Sequence, residues 1–320
     1  MDQPVRRAAG EHAGTNRGRS ARPRRPSSTT RDMTAPSAPP YHDRRFTSSD
    51  GLNLYFRDSG DPLSPCTPVL CLPGLSRNSR DFAALARRLS ATRRVLCPDY
   101  RGRGQSDYDP DWRNYHPRTY IEDIRHLLAV AGVGRVVVVG TSMGGILAAG
   151  MAVAMPTALA GAVINDVGPE IGIRGLDRIV AYLQDAGPLA DWTAAVAKLR
   201  ANFPNLPAYS DGDWLKIAQS TYRESHDGLL YPDWDVRLVK PLLANGTEGY
   251  NLLALFAALR ATPVLLVRGE RSDVLHADAF ERMGRLLPDA RRLTVPGVGH
   301  APSLSEPLAQ EAIDEFLRPF

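Results

Sequence analysis

Short apolar runs alternate with segments of helical periodicity over most of the chain. The runs are rich in Val, Leu and Ile and cover residues 69–72, 94–97, 136–139, 162–164, 264–267 and 293–295. Runs of this kind are typical of strands that are buried on both faces of a parallel sheet. The segments between them place apolar residues at helical spacing, at 81–89, 119–131, 143–155, 277–287 and 308–317. The alternation predicts an α/β fold with right-handed crossovers.

Three segments depart from this alternation. Residues 44–60 predict a β-hairpin with Asp50-Gly51 in its turn. Residues 168–260 are helix-like and hold three of the four Trp, and we predict that they form a helical cap inserted into a core of residues 43–167 and 261–320. Residues 1–42 are rich in Arg, Pro and Ser and nearly lack large apolar side chains, so they predict a disordered tail.

The positive charge of the chain is concentrated at its N-terminus. The whole chain carries +4, whereas residues 1–45 hold ten Arg against four acidic residues, which leaves −2 for the remainder. The predicted folded part therefore lacks the basic surface of a nucleic-acid-binding protein. We expect neither a nucleic acid nor a membrane as partner, and a monomer or a homodimer.

Targeting signals and metal motifs are absent from the sequence pattern. There is no run of about 18 apolar residues and no apolar N-terminal signal segment, so we expect a cytoplasmic protein. The three cysteines, Cys66, Cys71 and Cys97, match neither a zinc spacing nor a disulfide framework. We therefore expect no metal.

The strongest chemical signal is the sequence GTSMG at residues 140–144, between a buried run and a helical segment. In this context G-x-S-x-G predicts a nucleophile elbow, in which Ser142 stands above the sheet and the amide of Met143 can face an oxyanion. A serine attacks a carbonyl group only when a base is within reach and preset donors hold the oxyanion. The alternative is a turn whose serine only caps the helix.

Candidates for the second oxyanion donor, the general base and the acid follow other predicted strands. Gly74 lets the backbone approach a substrate, and Leu75 would supply a second oxyanion amide. His300 lies in a glycine-flanked loop after the last predicted strand and is the predicted general base. Asp273 is predicted as the acid that orients His300, and Asp166 is the alternative acid.

The segment DYRGRGQSD at residues 99–107 offers a competing interpretation. It has two glycines after a strand, as a dinucleotide-binding motif does, but it lacks the third glycine of that motif. We therefore predict a turn that lines the catalytic end of the sheet.

Five motifs together carry a resemblance: CLPGLSRNSRDF, DYRGRGQSD, GTSMGG, RGERSDVL and PGVGHAPSLSEP. In this order, over residues 44–320, the chain resembles the α/β-hydrolase family, in particular the capped branch with 3-oxoadipate enol-lactonases and bacterial esterases. The resemblance implies a mostly parallel eight-stranded sheet flanked by helices, a helical cap and no cofactor. It also implies a triad of Ser142, Asp273 and His300.

The sequence departs from the family pattern at two places. The chain has Pro73-Gly74 where the family frequently has His-Gly before the first oxyanion donor. Asp273 stands four residues after Gly269, where the commoner spacing is three. Because of this second departure, Asp166 remains the alternative acid.

We therefore expect a serine hydrolase that cleaves a carboxylic ester or lactone of a small to medium apolar compound through an acyl-enzyme. The expected substrate contacts are Gly74 and the cap aromatics Trp192, Trp214, Tyr231 and Trp234. The alternatives are a C–C bond hydrolase or an acyltransferase with the same triad, or a non-catalytic ligand-binding or sensor protein.

Overall fold

The structure, a computed structural model, describes residues 41–206, 209–245 and 251–320. The strands are β1 (His42–Thr47), β2 (Asn53–Ser59), β3 (Val69–Leu72), β4 (Val95–Pro98), β5 (Val136–Thr141), β6 (Leu159–Asn165), β7 (Tyr222–Glu224), β8 (Leu230–Pro232), β9 (Val264–Gly269) and β10 (Arg291–Val295). The helices are α1 (Ala83–Leu89), α2 (Pro117–Val130), α3 (Met143–Ala154), α4 (Ile173–Gln184), α5 (Trp192–Asn202), α6 (Asp211–Thr221), α7 (Lys240–Asn245), α8 (Leu252–Ala257), α9 (Ala277–Leu286) and α10 (Pro307–Leu317). The predicted tail lies almost entirely outside these ranges, so its boundary stays a prediction.

Eight strands form one sheet in the order β1-β2-β4-β3-β5-β6-β9-β10. The pairs from β4 to β10 are parallel, and β1 and β2 add an antiparallel edge. β3, β4, β6 and β9 consist wholly of buried residues. The predicted α/β fold and the predicted β1–β2 hairpin are confirmed.

The edge strand β10 differs from the prediction. Only Val295 of this strand is buried, because no strand follows β10 in the sheet order. Burial on both faces, which its apolar residues predict, is therefore wrong for β10.

The sheet separates two apolar layers. Val136 and Val138 of β5 pack in one layer with residues of α2 and α3, whereas Val137 and Val139 pack in the other with residues of α1 and α10. This division follows from the alternation of side chains along a strand. Helices therefore cover both faces of the sheet, as the βαβ pattern predicts.

The chain between β6 and β9 forms α4 to α8 and the two-stranded β7–β8 sheet. The short β7–β8 pair is not part of the predicted all-helical cap. Trp234 packs against Tyr182, with ring centroids 5.6 Å apart, and against Tyr222, with centroids 6.2 Å apart. Large aromatic side chains therefore form an apolar centre within this insertion.

Helix α3 lies very close to its neighbours because small residues face them. An added Cβ at Gly144 would stand 2.0 Å from the carbonyl oxygen of Leu72, and one at Gly150 would stand 2.4 Å from Cδ1 of Ile121. Both distances are far below van der Waals contact. Gly144 thus sets how closely the first turn of α3 approaches the end of β3.

All three cysteines are free thiols, and Cys71 and Cys97 are buried. Among the helices of the described ranges, none is both long and apolar enough to cross a membrane.

The close approach of α3 predicts a selective loss of stability. Gly144→Ala should lower the free energy of unfolding by about 1 to 3 kcal/mol, because backbone must move to admit the methyl group. Gly134→Ala is the matched control, since no heavy atom lies within 4 Å of an added Cβ there. Urea unfolding of both variants measures the difference, and equal stabilities would contradict the proposed packing.

Candidate active site

Ser142 occupies the sharp turn between β5 and α3. Its backbone has φ 53° and ψ −117°, a conformation that is unusual for any residue except glycine and is often found at functional sites. Its amide donates to the carbonyl of Asn165 at 2.9 Å, and its carbonyl accepts from the amide of Gly145 at 2.8 Å. These bonds hold the serine in the strand, turn and helix context that G-x-S-x-G requires.

His300 connects Ser142 with a buried carboxylate. Its Nε2 lies 3.1 Å from Oγ of Ser142, and its Nδ1 lies 2.8 Å from Oδ2 of Asp166. The Asp166 side chain is fully buried and that of His300 is 8 % exposed. An ionised carboxylate only accepts hydrogen bonds, so Nδ1 carries the proton and Nε2 can accept the serine hydroxyl.

Two further donors hold Asp166 in place. The amide of Gly269 donates to Oδ1 at 2.7 Å, and the hydroxyl of Ser272 donates to Oδ2 at 2.6 Å. Asp166 itself has φ 59°, which directs its side chain away from the line of β6. The end of β9 and the loop after it therefore fix both carboxylate oxygens.

Asp273 does not orient His300, so the first choice for the acid is corrected to the alternative, Asp166. Both carboxylate oxygens of Asp273 accept from Arg178 of α4, at 2.8 Å each. Burial opposes the ionisation of Asp273, but the hydrogen bonds and charge of Arg178 outweigh it and lower the pKa of Asp273 below its usual value. The two carboxylates point to different partners. The loop after β9 directs Asp273 towards Arg178 of α4, whereas the end of β6 directs Asp166 towards His300.

Asn165, the last residue of β6, joins the serine turn to the histidine loop. Its Nδ2 donates to Oγ1 of Thr141 at 3.0 Å and to the carbonyl of Pro302 at 2.8 Å. The sequence reasoning missed both Asn165 and Ser272. The signal that could have found Asn165 is its place beside Asp166 at the end of a buried strand.

The two predicted oxyanion donors lie near Ser142. Met143 is the first residue of α3, and a Cβ added at Gly74 would stand 3.8 Å from Cβ of Ser142. Within the part of the chain that the structure describes, the amides of Leu75 and Met143 have no hydrogen-bond acceptor. A free N–H group at the start of a helix, such as that of Met143, is expected and suits an anion.

The segment at residues 99–107 supports the loop that carries Leu75. The fully buried Arg103 donates from Nε to the carbonyl of Leu75 at 2.8 Å and from Nη1 to the hydroxyl of Tyr120 at 2.7 Å. Next to it, the buried Arg101 pairs with Asp109 and Asp123. Both arginines therefore bind groups of the protein itself.

A cavity of about 10 Å³ lies beside His300. It is lined by His300, Arg178 and Asp273 and by residues 203–206 of the insertion between β6 and β9, and it has room for about one water molecule. The carbonyl of Asn205 accepts from the amide of Gly299 at 2.6 Å, which holds this segment against the histidine loop. This space is too small for an organic substrate.

None of the four aromatics of the predicted cap lines this cavity, and their role as substrate contacts stays a prediction. Trp214 and Trp234 are buried within the cap, and Trp192 begins α5. Tyr231 lies in β8 and donates its hydroxyl to Asp227 at 2.8 Å. The burial of Trp214 and Trp234 shows that composition alone cannot separate packing from ligand contact.

The sheet, the turn at Ser142 and the histidine loop together define an α/β hydrolase. A family profile described as "Alpha/beta hydrolase family" matches residues 69–312, which is more than half of the chain. The chain belongs to this family, and it is a hydrolase.

Two relatives and one crystal structure are similar to this chain over most of its length. The chain is 31% identical over 267 residues to 3-hydroxybutyrate-oligomer hydrolase of Cupriavidus necator, covering 81% of this chain and 90% of that protein. It is 29% identical over 296 residues to 2-(acetamidomethylene)succinate hydrolase of Mesorhizobium japonicum, covering 89% and 99%. A crystal structure of an alpha/beta hydrolase from Novosphingobium aromaticivorans shares 40% identity at a TM-score of 0.83, covering 88% of this chain and 99% of that one.

The ion pair of Arg178 and Asp273 predicts a pH-dependent stability. Because folding lowers the pKa of Asp273, the pair stabilises the fold above the ordinary carboxyl pKa, about 4, and this contribution is lost as the pH falls through the lowered pKa. Asp273→Asn should cost up to about 1 kcal/mol near neutral pH, since both side chains are partly exposed.

Urea unfolding at several pH values measures this effect. The difference from the wild type should shrink as the solution is acidified, and Asp289→Asn, at an exposed turn residue, is the control. A difference that stays constant with pH would contradict the assignment.

Proposed function

We propose that the protein hydrolyses a carboxylic ester or lactone through an acyl-enzyme on Ser142. The observation that carries the proposal is the continuous contact from Ser142 Oγ to His300 Nε2, at 3.1 Å, and from His300 Nδ1 to Asp166 Oδ2, at 2.8 Å. A nucleophile, a base and an orienting acid in this geometry serve acyl transfer.

In the first half of the proposed reaction, the serine hydroxyl proton moves to Nε2 of His300 as Oγ attacks the substrate carbonyl carbon. The carbonyl oxygen becomes negative and is held by the amides of Leu75 and Met143. His300 then returns the proton to the leaving alcohol oxygen, and the acyl group remains on Ser142.

In the second half, His300 takes a proton from a water molecule, and the water oxygen attacks the acyl carbon. Collapse of the second tetrahedral intermediate releases a carboxylic acid, and Ser142 regains its proton. Asp166 stays ionised throughout and stabilises the imidazolium that forms in each half. These roles require only residues of this chain.

The relatives support an ester as the substrate. The Cupriavidus necator protein is named for hydrolysing 3-hydroxybutyrate oligomers, and units of a hydroxy acid in such an oligomer are joined by ester bonds. We infer that this chain also acts on an ester of a small acid.

Labelling with a fluorophosphonate probe tests the proposed nucleophile. The wild type should be labelled and should hydrolyse p-nitrophenyl butyrate, because Ser142 Oγ has its base within hydrogen-bond reach. Ser142→Ala should lose all labelling and about 10⁶-fold in kcat. The control is Ser305→Ala, an exposed serine of the histidine loop.

Folded wild-type protein that is neither labelled nor active on a panel of esters and lactones would overturn the proposal. That result would favour the non-catalytic ligand-binding alternative.

The two candidate acids predict different losses of activity. Asp166→Asn should lower kcat by about 10⁴-fold, because the amide favours the wrong tautomer of His300. Asp273→Asn should lose far less, since Asp273 contacts Arg178 and not the histidine. Steady-state kinetics of both variants, with circular dichroism to confirm folding, makes the comparison, and the reverse order of effects would refute Asp166 as the acid.

A further inference from the structure

Ser272 has no role in the reaction as described so far, yet it contacts the acid directly. It lies in the loop after β9 and is 6% exposed. Its Oγ is 2.6 Å from Oδ2 of Asp166, and that same oxygen is 2.8 Å from Nδ1 of His300. The serine hydroxyl and the imidazole therefore share one carboxylate oxygen.

The direction of the Ser272 hydrogen bond follows from its other contacts. A hydroxyl group has one proton to donate and two lone pairs that accept. The amides of Val274 and Leu275 donate to Oγ of Ser272, at 3.3 Å and 3.0 Å. Both lone pairs are thus occupied, and the single proton of Ser272 is directed at Asp166.

This bond restrains the carboxylate in two ways. Gly269 holds only Oδ1 of Asp166, so the bond from Ser272 fixes the rotation that places Oδ2 opposite His300. A donated hydrogen bond also withdraws negative charge from Oδ2, and this weakens the attraction between Oδ2 and a protonated imidazole. Ser272 therefore influences both the orientation and the protonation of the base.

We infer that Ser272 is a positioning residue that fixes Asp166 against His300 and limits the basicity of the histidine. The inference rests on the proposed acyl-enzyme reaction. It assigns to Ser272 an effect on turnover and on the pH profile, beyond its part in the loop after β9.

The test compares Ser272→Ala with the wild type on p-nitrophenyl butyrate as a function of pH. The variant should lose about tenfold in kcat, the effect of one hydrogen bond to a charged group, while KM changes little. The acidic limb of the kcat/KM profile should move to higher pH, because the carboxylate now holds the protonated imidazole more strongly.

Ser303→Ala is the matched control. It also removes a serine hydroxyl that donates to a carboxylate, that of Glu306 at 3.0 Å, and it lies three residues after His300 without contacting Asp166. Its kcat and its pH profile should match those of the wild type.

The outcomes separate this inference from the proposed function. Ser272→Ala that is less stable but keeps the wild-type kcat and acidic limb would show a structural role only and would overturn the inference. If Ser272→Ala does not fold, Ser272→Cys, whose thiol is a weak donor, replaces it, and an unshifted limb again overturns the inference. An inactive and unlabelled wild type would instead refute the proposed function.

Discussion

The hydrogen bond between Asp166 and His300 is the interaction on which the site depends. It joins the end of β6 to the loop after β10, two segments that are 134 residues apart in the chain. The bond is possible because the carboxyl ends of β5, β6, β9 and β10 lie at the same edge of the sheet. Ser142 follows β5, and Asp166 follows β6. Gly269, which supports Asp166, ends β9, and His300 follows β10.

The support of Asp166 shows how the fold stabilises a buried charge. Burial of a carboxylate is costly unless donors compensate it, and three donors, from Gly269, Ser272 and His300, reach its two oxygens. The last residue of β9 and the loop after it supply two of them. This loop therefore contributes to the candidate site even though its own acid, Asp273, is turned away.

The fold was largely predictable from the sequence because a buried parallel strand appears as a short, continuous run of apolar residues. The run at 69–72 coincides with β3, since a strand covered on both faces needs apolar side chains throughout. The pair β7 and β8 was not predicted, because strands of three residues are too short for an alternating pattern. The serine and the histidine of the candidate site were also predictable, each from its glycine-flanked turn.

The choice of acid could not be made from the sequence. Asp166 and Asp273 both follow parallel strands, so both were expected at the same edge of the sheet. Their directions depend on the backbone angles of single residues, such as the φ of 59° at Asp166. The partner of Asp273 is Arg178, 95 residues earlier in the chain, and no local pattern reveals such a pairing.

Close packing of α3 makes the position of Ser142, the proposed nucleophile, sensitive to substitution of a glycine beside it. A Cβ added at Gly144 would meet the backbone of Leu72, whereas one at Gly150 would meet only the end of the Ile121 side chain, which can shift. A larger side chain at Gly144 would push the start of the helix outward and would move Ser142 relative to His300. Displacements of about 1 Å can cost about 100-fold in rate, so libraries that aim to change the substrate range of this enzyme should leave the first turn of α3 unchanged.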